Sequence, residues 1–167
     1  MQALIRTLFD ILTIRKGPDS IPYSWLLLYA AVLLWFLPLL TASVLVPNFR
    51  GAVVAVAVAS WIVSLVCYAL VIVLAGFKNR LLQALTAIIG CGALIFLGQV
   101  AGLIFLTPFL GAALAQLFIY LLLAWSVRVK GHIIARTIDC EWYLGILIAI
   151  SVFVLQYAFS NVVTPTI

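Results

Sequence analysis

The sequence is poor in charge, and its few charges are confined to short segments. Only 8% of the residues are Asp, Glu, Lys or Arg, whereas 68% are apolar and the mean hydropathy is +1.36. A soluble domain carries about 25% charged residues. This scarcity excludes a soluble domain and indicates a polytopic membrane protein.

The sequence also lacks the residue patterns on which common catalytic and nucleic-acid-binding sites depend. The single His132 has no HExxH or CxxC neighbours, and we find no nucleophile with its base, no paired carboxylates and no phosphate loop. The few basic residues form no patch with interleaved aromatics. We therefore expect no enzymatic activity, no metal, no cofactor and no nucleic-acid partner. We expect Cys67, Cys91 and Cys140 to be free thiols, because no pair lies on an oxidising side.

Titratable residues are absent from the depth of the apolar segments. Such residues relay protons or bind coupling ions, so their absence argues against an ion-coupled pump or transporter. The polar residues that remain there are predicted to hydrogen-bond between helices; the alternative is a cluster that binds a substrate. They are Gln83, Gln99, Gln116, Gln156 and Asn161.

Long uncharged runs are what the sequence has in abundance. They cover residues 20–49, 51–77, 81–127 and 142–167. One crossing needs about 20 apolar residues, so the run 81–127 is long enough for two crossings. We expect a tight turn between them at Thr107 and Pro108, because proline disrupts a helix interior.

The predicted fold is all-α, a bundle of five transmembrane helices preceded by an amphipathic interfacial helix. The N-terminal segment covers residues 1–21 and the transmembrane domain covers residues 22–167. The predicted spans are about 23–46, 52–76, 81–106, 109–127 and 143–163.

The basic residues are distributed unequally between the two sides of this five-span arrangement. Arg50 falls alone on one side, and every other Lys and Arg falls on the opposite side. By the positive-inside rule, the N-terminus is expected in the cytoplasm and the C-terminus outside.

The first residues show the 3.6-residue period of an amphipathic helix. Met1, Leu4, Ile5, Leu8, Ile11 and Leu12 share one face. We expect this helix at the membrane surface, where Arg6, Arg15 and Lys16 would contact a partner or anionic head groups. The alternative is a simple anchor before the first span.

The connection of residues 128–141 is the most polar stretch of the chain. If it is helical, Arg128, His132, Arg136 and Asp139 form a stripe on one face. This polar stripe could face head-group phosphates or an acidic partner, with His132 able to titrate near neutral pH. The alternative is a solvated connection whose charges only fix the topology.

Gly98 and Gly102 form a GxxxG step inside an apolar helix, which lets another helix approach closely. The partner helix is either the fourth predicted span, through Gly111 and Ala115, or another subunit. Gln99 and Gln116 are further candidates for helix packing.

In layout, the chain resembles the small bacterial members of the Yip1-domain superfamily. The residues that carry the likeness are LFDILTIRKGPDSIPYS at 8–24 and WSVRVKGHIIARTID at 125–139, which are similar to segments of small proteobacterial inner-membrane proteins. The resemblance implies a bacterial inner membrane and partner binding, and no catalytic residues.

Two functions are expected from the sequence. The first is a non-enzymatic accessory or scaffold subunit that acts through protein or lipid interaction. The alternative is a small transporter or lipid-handling protein, as a single chain or as an oligomer. In either case the partners are the lipid bilayer and other membrane subunits or further copies of the chain. The orientation of the glutamines, towards one cavity or towards one another, distinguishes the two functions.

Overall fold

The computed structural model describes residues 2–46, 49 and 51–163, and its regular structure is helical. The helices are α1 (Gln2–Leu12), α2 (Trp25–Leu45), α3 (Ala52–Leu74), α4 (Leu81–Thr137) and α5 (Trp142–Val163), with short 3-10 turns at Pro18–Ser20 and Lys78–Arg80. Four helices, α2 to α5, are long and apolar enough to cross a membrane. The prediction of an all-helical, membrane-type fold is therefore confirmed. Arg50, the lone basic residue of its predicted side, lies outside the described residues.

The α4 helix is folded back on itself. As a straight helix it would extend roughly 85 Å at 1.5 Å per residue, far beyond the thickness of a bilayer. The helical path breaks at Gly111, where φ is +80° and ψ is 163°. An added Cβ on Gly102 would lie 2.6 Å from the Phe118 ring, and one on Gly98 would lie 3.4 Å from Leu122. Residues 81–110, the first arm, and residues 112–137, the second arm, are therefore antiparallel.

The position of this reversal corrects the sequence prediction. Thr107 and Pro108, where we expected the turn, lie inside the helix, and the Thr107 hydroxyl donates to the Leu103 carbonyl. Proline removes one backbone N–H but keeps a helical φ, so it need not reverse the chain. Gly111 supplies the reversal, because only glycine adopts a positive φ without steric cost.

The α1 helix forms where the hydrophobic period predicts it, and it packs on the bundle of its own chain. The Leu8 and Ile11 side chains are completely buried in the main core cluster. Leu8 lies against Gly90, where an added Cβ would come within 2.7 Å of its side chain. Arg6 and Phe9 are exposed. The side chains of Met1, Leu4 and Ile5, which complete the predicted apolar face, lie outside the described residues.

The second arm and α5 approach each other very closely at two glycines. An added Cβ on Gly131 would lie 2.8 Å from the Ile146 Cα, and one on Gly145 would overlap the Gly131 carbonyl oxygen. The two backbones are therefore in direct contact, the kind of approach that small residues permit in membrane helices. Neither glycine was predicted from the sequence to be a packing residue.

Large apolar side chains cover the outside of the bundle. Leu26, Leu74 and Phe109 are each more than 70% exposed, and many other leucines, valines and aromatics are exposed as well. An apolar surface of this extent is a liability in water, whereas it suits a bundle surrounded by lipid.

Candidate functional site

A cavity of about 360 Å³ lies within the helix bundle and is lined by α2, α3, α5 and both arms of α4. Its polar lining comes mainly from three helices, each of which contributes residues one turn apart. These pairs are Ser60 and Ser64 on α3, Ser126 and Lys130 on the second arm, and Gln156 and Ser160 on α5. Residues i and i+4 share a helix face, so each of these helices presents a pair of polar side chains to the cavity.

Ser60 has an unmet hydrogen-bonding requirement at this cavity. Its side chain is only 4% exposed, and its hydroxyl has no hydrogen-bond partner among the described residues. Leaving a buried polar group without a partner costs about 1–3 kcal/mol. The cavity therefore contains a polar atom that a bound molecule could satisfy.

Lys130 is the basic residue of the cavity lining. It lies seven residues before the end of α4 at Thr137, or about 10 Å along the helix axis. None of the lining residues is acidic. Among the described carboxylates, Asp10 pairs with Lys16 and Asp139 with Arg80, each at 2.7 Å. Lys130 takes part in no ion pair within the described part of the chain.

From the sequence, Lys130 was expected only as one of the charges that fix the topology. The second arm instead continues ten residues past the predicted end of the fourth span, at residue 127, and so brings this lysine to the bundle interior. The sequence does contain one signal for this position. Ser126 and Lys130 are spaced i to i+4, so they share a helix face, and this face differs from that of the polar stripe.

An aromatic wall completes the cavity. The Trp35 and Trp61 rings are stacked, with centroids 3.9 Å apart and planes inclined by 14°. Phe96 and Phe153 also line the space. The cavity therefore combines a cation and hydroxyl groups with aromatic side chains, the composition of a small-molecule site.

The glutamines fall into distinct groups. Gln99 and Gln156 both line the cavity. Gln83 donates to the Ile21 carbonyl at 2.7 Å and so joins the N-terminal segment to α4. Gln116 and Asn161 are exposed. Gln99 and Gln116, proposed as packing residues, therefore lie in different environments, and Gln99 belongs to the cavity.

The other packing candidates lie at the contact between the two arms. Gly102 adjoins Phe118, and Gly98 adjoins Leu122, so the GxxxG step faces the second arm of the same chain. Gly111 forms the reversal and has open space around it.

The polar stripe meets the N-terminal segment of its own chain. The His132 Nε2 atom lies 3.2 Å from the Lys16 carbonyl, and Trp125, about two turns earlier, donates from Nε1 to the Leu12 carbonyl at 3.2 Å. The Arg128 guanidinium lies over the Trp125 ring, 5.3 Å from its centroid. This face of the second arm thus holds the end of α1 in place.

Asp139 does not belong to the polar stripe. The helix ends at Thr137, and Asp139 has a φ of +50°, so it leaves the helix path. Its carboxylate accepts from Arg80, which also donates to the Thr137 carbonyl at 3.2 Å. The predicted four-residue face is therefore reduced to Arg128, His132 and Arg136, because the helical period ends before its last member.

The remaining candidates for partner or head-group contact are surface residues. Arg6, Arg15, Arg128 and Arg136 are exposed. Lys16 is held by Asp10, and its ammonium lowers the pKa of that carboxyl by a hydrogen bond.

Among the described residues, no group of three His, Cys, Asp or Glu side chains is arranged to hold a metal ion. No protein-family model, curated protein or solved structure matches the chain. The cavity is therefore the feature from which a function can be argued.

Proposed function

We propose that this chain is an integral membrane protein that binds a small amphipathic molecule or a lipid in its central cavity, as a small transporter or lipid-handling protein. The observation that carries the proposal is the convergence of polar side chains from α3, α5 and both arms of α4 on one cavity. If the glutamines served only to link helices, they would be expected to hydrogen-bond to one another in pairs. Gln99 and Gln156 instead both line the cavity.

The cost of polar groups inside a membrane supports this proposal. A lysine within an apolar bundle is expensive, and such residues commonly mark substrate or ion pathways. Lys130 and the unpartnered Ser60 hydroxyl are two such groups in one space. A bound molecule that satisfies both would offset their cost.

The membrane arrangement that accompanies this proposal has five crossings. The first and second arms of α4 are roughly 45 Å and 39 Å long at 1.5 Å per residue, so each is long enough to cross a bilayer. Together with α2, α3 and α5 they would make five crossings, for which the positive-inside rule predicts a cytoplasmic N-terminus and an external C-terminus. The inner membrane of a bacterium is the proposed location, and kinship with the Yip1-domain superfamily stays a prediction.

An accessory or scaffold role is the other function expected from the sequence. It would use the basic residues left exposed by the docking of α1, namely Arg6, Arg15 and Arg136. Leu8 and Ile11 of the α1 apolar face, which such a partner would otherwise meet, pack into the core of the chain itself.

Filling the cavity tests the proposed function. Gly92 lines the cavity, and a Cβ added there meets nothing within 4 Å. We expect Gly92→Leu to fold normally and to lose the bound molecule, because the new side chain occupies the space. Native mass spectrometry and lipid extraction of protein purified under gentle conditions would measure the bound molecule.

The matched control is Ala158→Leu, which adds the same apolar bulk at an exposed position of α5. It should retain the bound molecule. The proposal is wrong if the unmodified protein carries no molecule and takes up none from lipid vesicles, or if Gly92→Leu binds as well as the control.

A further inference from the structure

The charge of the cavity identifies the class of molecule that it takes. We propose that the ligand is a single-chain amphipathic anion, whose head group pairs with Lys130 and whose chain lies along the aromatic wall. This inference rests on the proposed function and assigns the ligand chemistry of that same site.

The negative charge of the ligand's head group is inferred from the positive charge of Lys130. The lining contains this one lysine and no carboxylate, and the nearest acidic groups along the chain, Asp139 and Glu141, are exposed beyond the end of α4. Apolar walls strengthen the attraction between unlike charges, because the effective dielectric is lower than in water. The ligand that best satisfies the cavity therefore carries negative charge.

Hydroxyl groups of the same lining offer further hydrogen-bond donors to a negative head group. An ionised carboxylate or phosphate has several acceptor oxygens and forms its strongest hydrogen bonds with charged donors. The Ser60 hydroxyl has no partner among the described residues, and Ser126 lies one turn from Lys130 on the same arm. Ammonium and hydroxyl donors together match such a head group, whereas a quaternary ammonium would meet a like charge.

The size and the lining of the rest of the cavity favour one chain. A volume of about 360 Å³ is at the lower end of the range of about 300–1,000 Å³ for small-molecule sites. The stacked Trp35 and Trp61 rings, with Phe96 and Phe153, offer flat apolar surface to an alkyl chain. One alkyl chain with a compact head group fits this space better than a two-chain lipid does.

Three probes with nearly the same chain length test the charge preference. Decanoate, decanol and decyltrimethylammonium present a negative, a neutral and a positive head group on unbranched alkyl chains that differ by at most one carbon. Binding to purified protein at pH 7.5, measured by calorimetry, should be tightest for decanoate by about ten-fold or more over decanol. The cationic probe should bind weakest.

Lys130→Met separates the charge from the shape of the side chain. Methionine keeps an unbranched apolar stem and removes the ammonium, so the advantage of decanoate over decanol should disappear while decanol binding stays. Replacing a buried charge with an apolar group of similar volume is often neutral or stabilising. Lys78→Met is the matched control, because Lys78 is an exposed lysine outside the cavity lining, and it should keep the preference.

The outcomes separate this inference from the proposed function. Equal binding of decanoate and decanol to the unmodified protein, or an unchanged preference in Lys130→Met, overturns the anionic assignment while Gly92→Leu still reports on the cavity. A two-chain anionic lipid that displaces decanoate with higher affinity overturns the single-chain assignment. The probe comparison requires no variant, so a poorly folded Lys130→Met would not prevent the test.

Discussion

Two glycines determine how closely the second arm and α5 can pack. Gly131 and Gly145 bring the two backbones into direct contact, so a methyl group at either position has no space. In a bilayer, helices associate largely through close packing and interhelical hydrogen bonds, which makes such contacts important for stability. They also fix the relative positions of Lys130 and the α5 residues of the cavity.

Gly145→Ala should therefore destabilise the bundle. The added Cβ would overlap the Gly131 carbonyl oxygen and approach the Ala135 Cβ at 2.7 Å, so the helices must separate. Overpacking of this kind costs about 1–3 kcal/mol. Unfolding in detergent, followed by circular dichroism, would measure the loss.

Gly92→Ala is the control for that experiment, since its added Cβ meets nothing within 4 Å. Alanine is also the better helix former, so this variant should be neutral or slightly more stable. Equal stability of Gly145→Ala and Gly92→Ala would show that the backbone contact is not as close as the structure places it.

At the scale of the element, α1 is attached to the bundle by both apolar and polar contacts. Leu8 is completely buried against Gly90, and the Cys91 thiol lies 3.7 Å from the Leu8 carbonyl. Beyond the helix, Trp125, His132 and Gln83 bind backbone carbonyls of residues 12, 16 and 21. The N-terminal segment is thus a structural part of the bundle.

Leu8→Ala should loosen α1 without unfolding the long helices. Removing a fully buried leucine side chain costs about 2–5 kcal/mol, and the loss should appear as faster hydrogen exchange in residues 2–16. Phe9→Ala is the control, because Phe9 is 51% exposed on the same helix and should leave exchange almost unchanged. Equal protection in both variants would contradict the internal docking of α1.

The element boundaries show how far the sequence can predict this fold. The predicted spans 23–46, 52–76 and 143–163 agree closely with α2, α3 and α5, because each is an uncharged run bounded by polar or turn residues. The reversal of α4 was misplaced, since proline and glycine both interrupt helical patterns and only their tertiary setting distinguishes them. The second arm stays helical to Thr137, past the end predicted for the fourth span at residue 127, because charge marks the expected edge of a membrane but does not end a helix.

For the whole molecule, the proposed five-crossing arrangement would place the two ends of the chain on opposite sides of the membrane. Four crossings separate α1 from Cys140, so these two sites should share one side. Cys140 is partly exposed just beyond the end of α4, whereas Asn161 is exposed near the end of α5, one crossing later.

A membrane-impermeant maleimide tests this arrangement. It should label Cys140 and an introduced Thr13→Cys in inverted vesicles, and an introduced Asn161→Cys in intact spheroplasts. Peptide mass spectrometry identifies each labelled cysteine, and buried Cys91 serves as the internal unlabelled control. Labelling of Cys140 and Thr13→Cys from opposite sides would contradict five crossings.

The candidate site could be predicted only in part. The glutamines Gln99 and Gln156 were recognised as intramembrane polar residues, but their convergence depends on five helical segments meeting around one space. Lys130, Ser60 and Ser64 were not singled out, because serine is common in membrane helices and a lysine near a predicted span end resembles a topology signal.

The sequence by itself determined the membrane-type composition, the existence of the helices and the approximate ends of most of them. These properties depend on local hydrophobicity and on the need to satisfy backbone hydrogen bonds within each helix. The tertiary structure decided the reversal at Gly111, the docking of α1 and the assembly of the cavity around Lys130. Those features depend on contacts between residues far apart in the chain, and no local pattern specifies which helix faces meet.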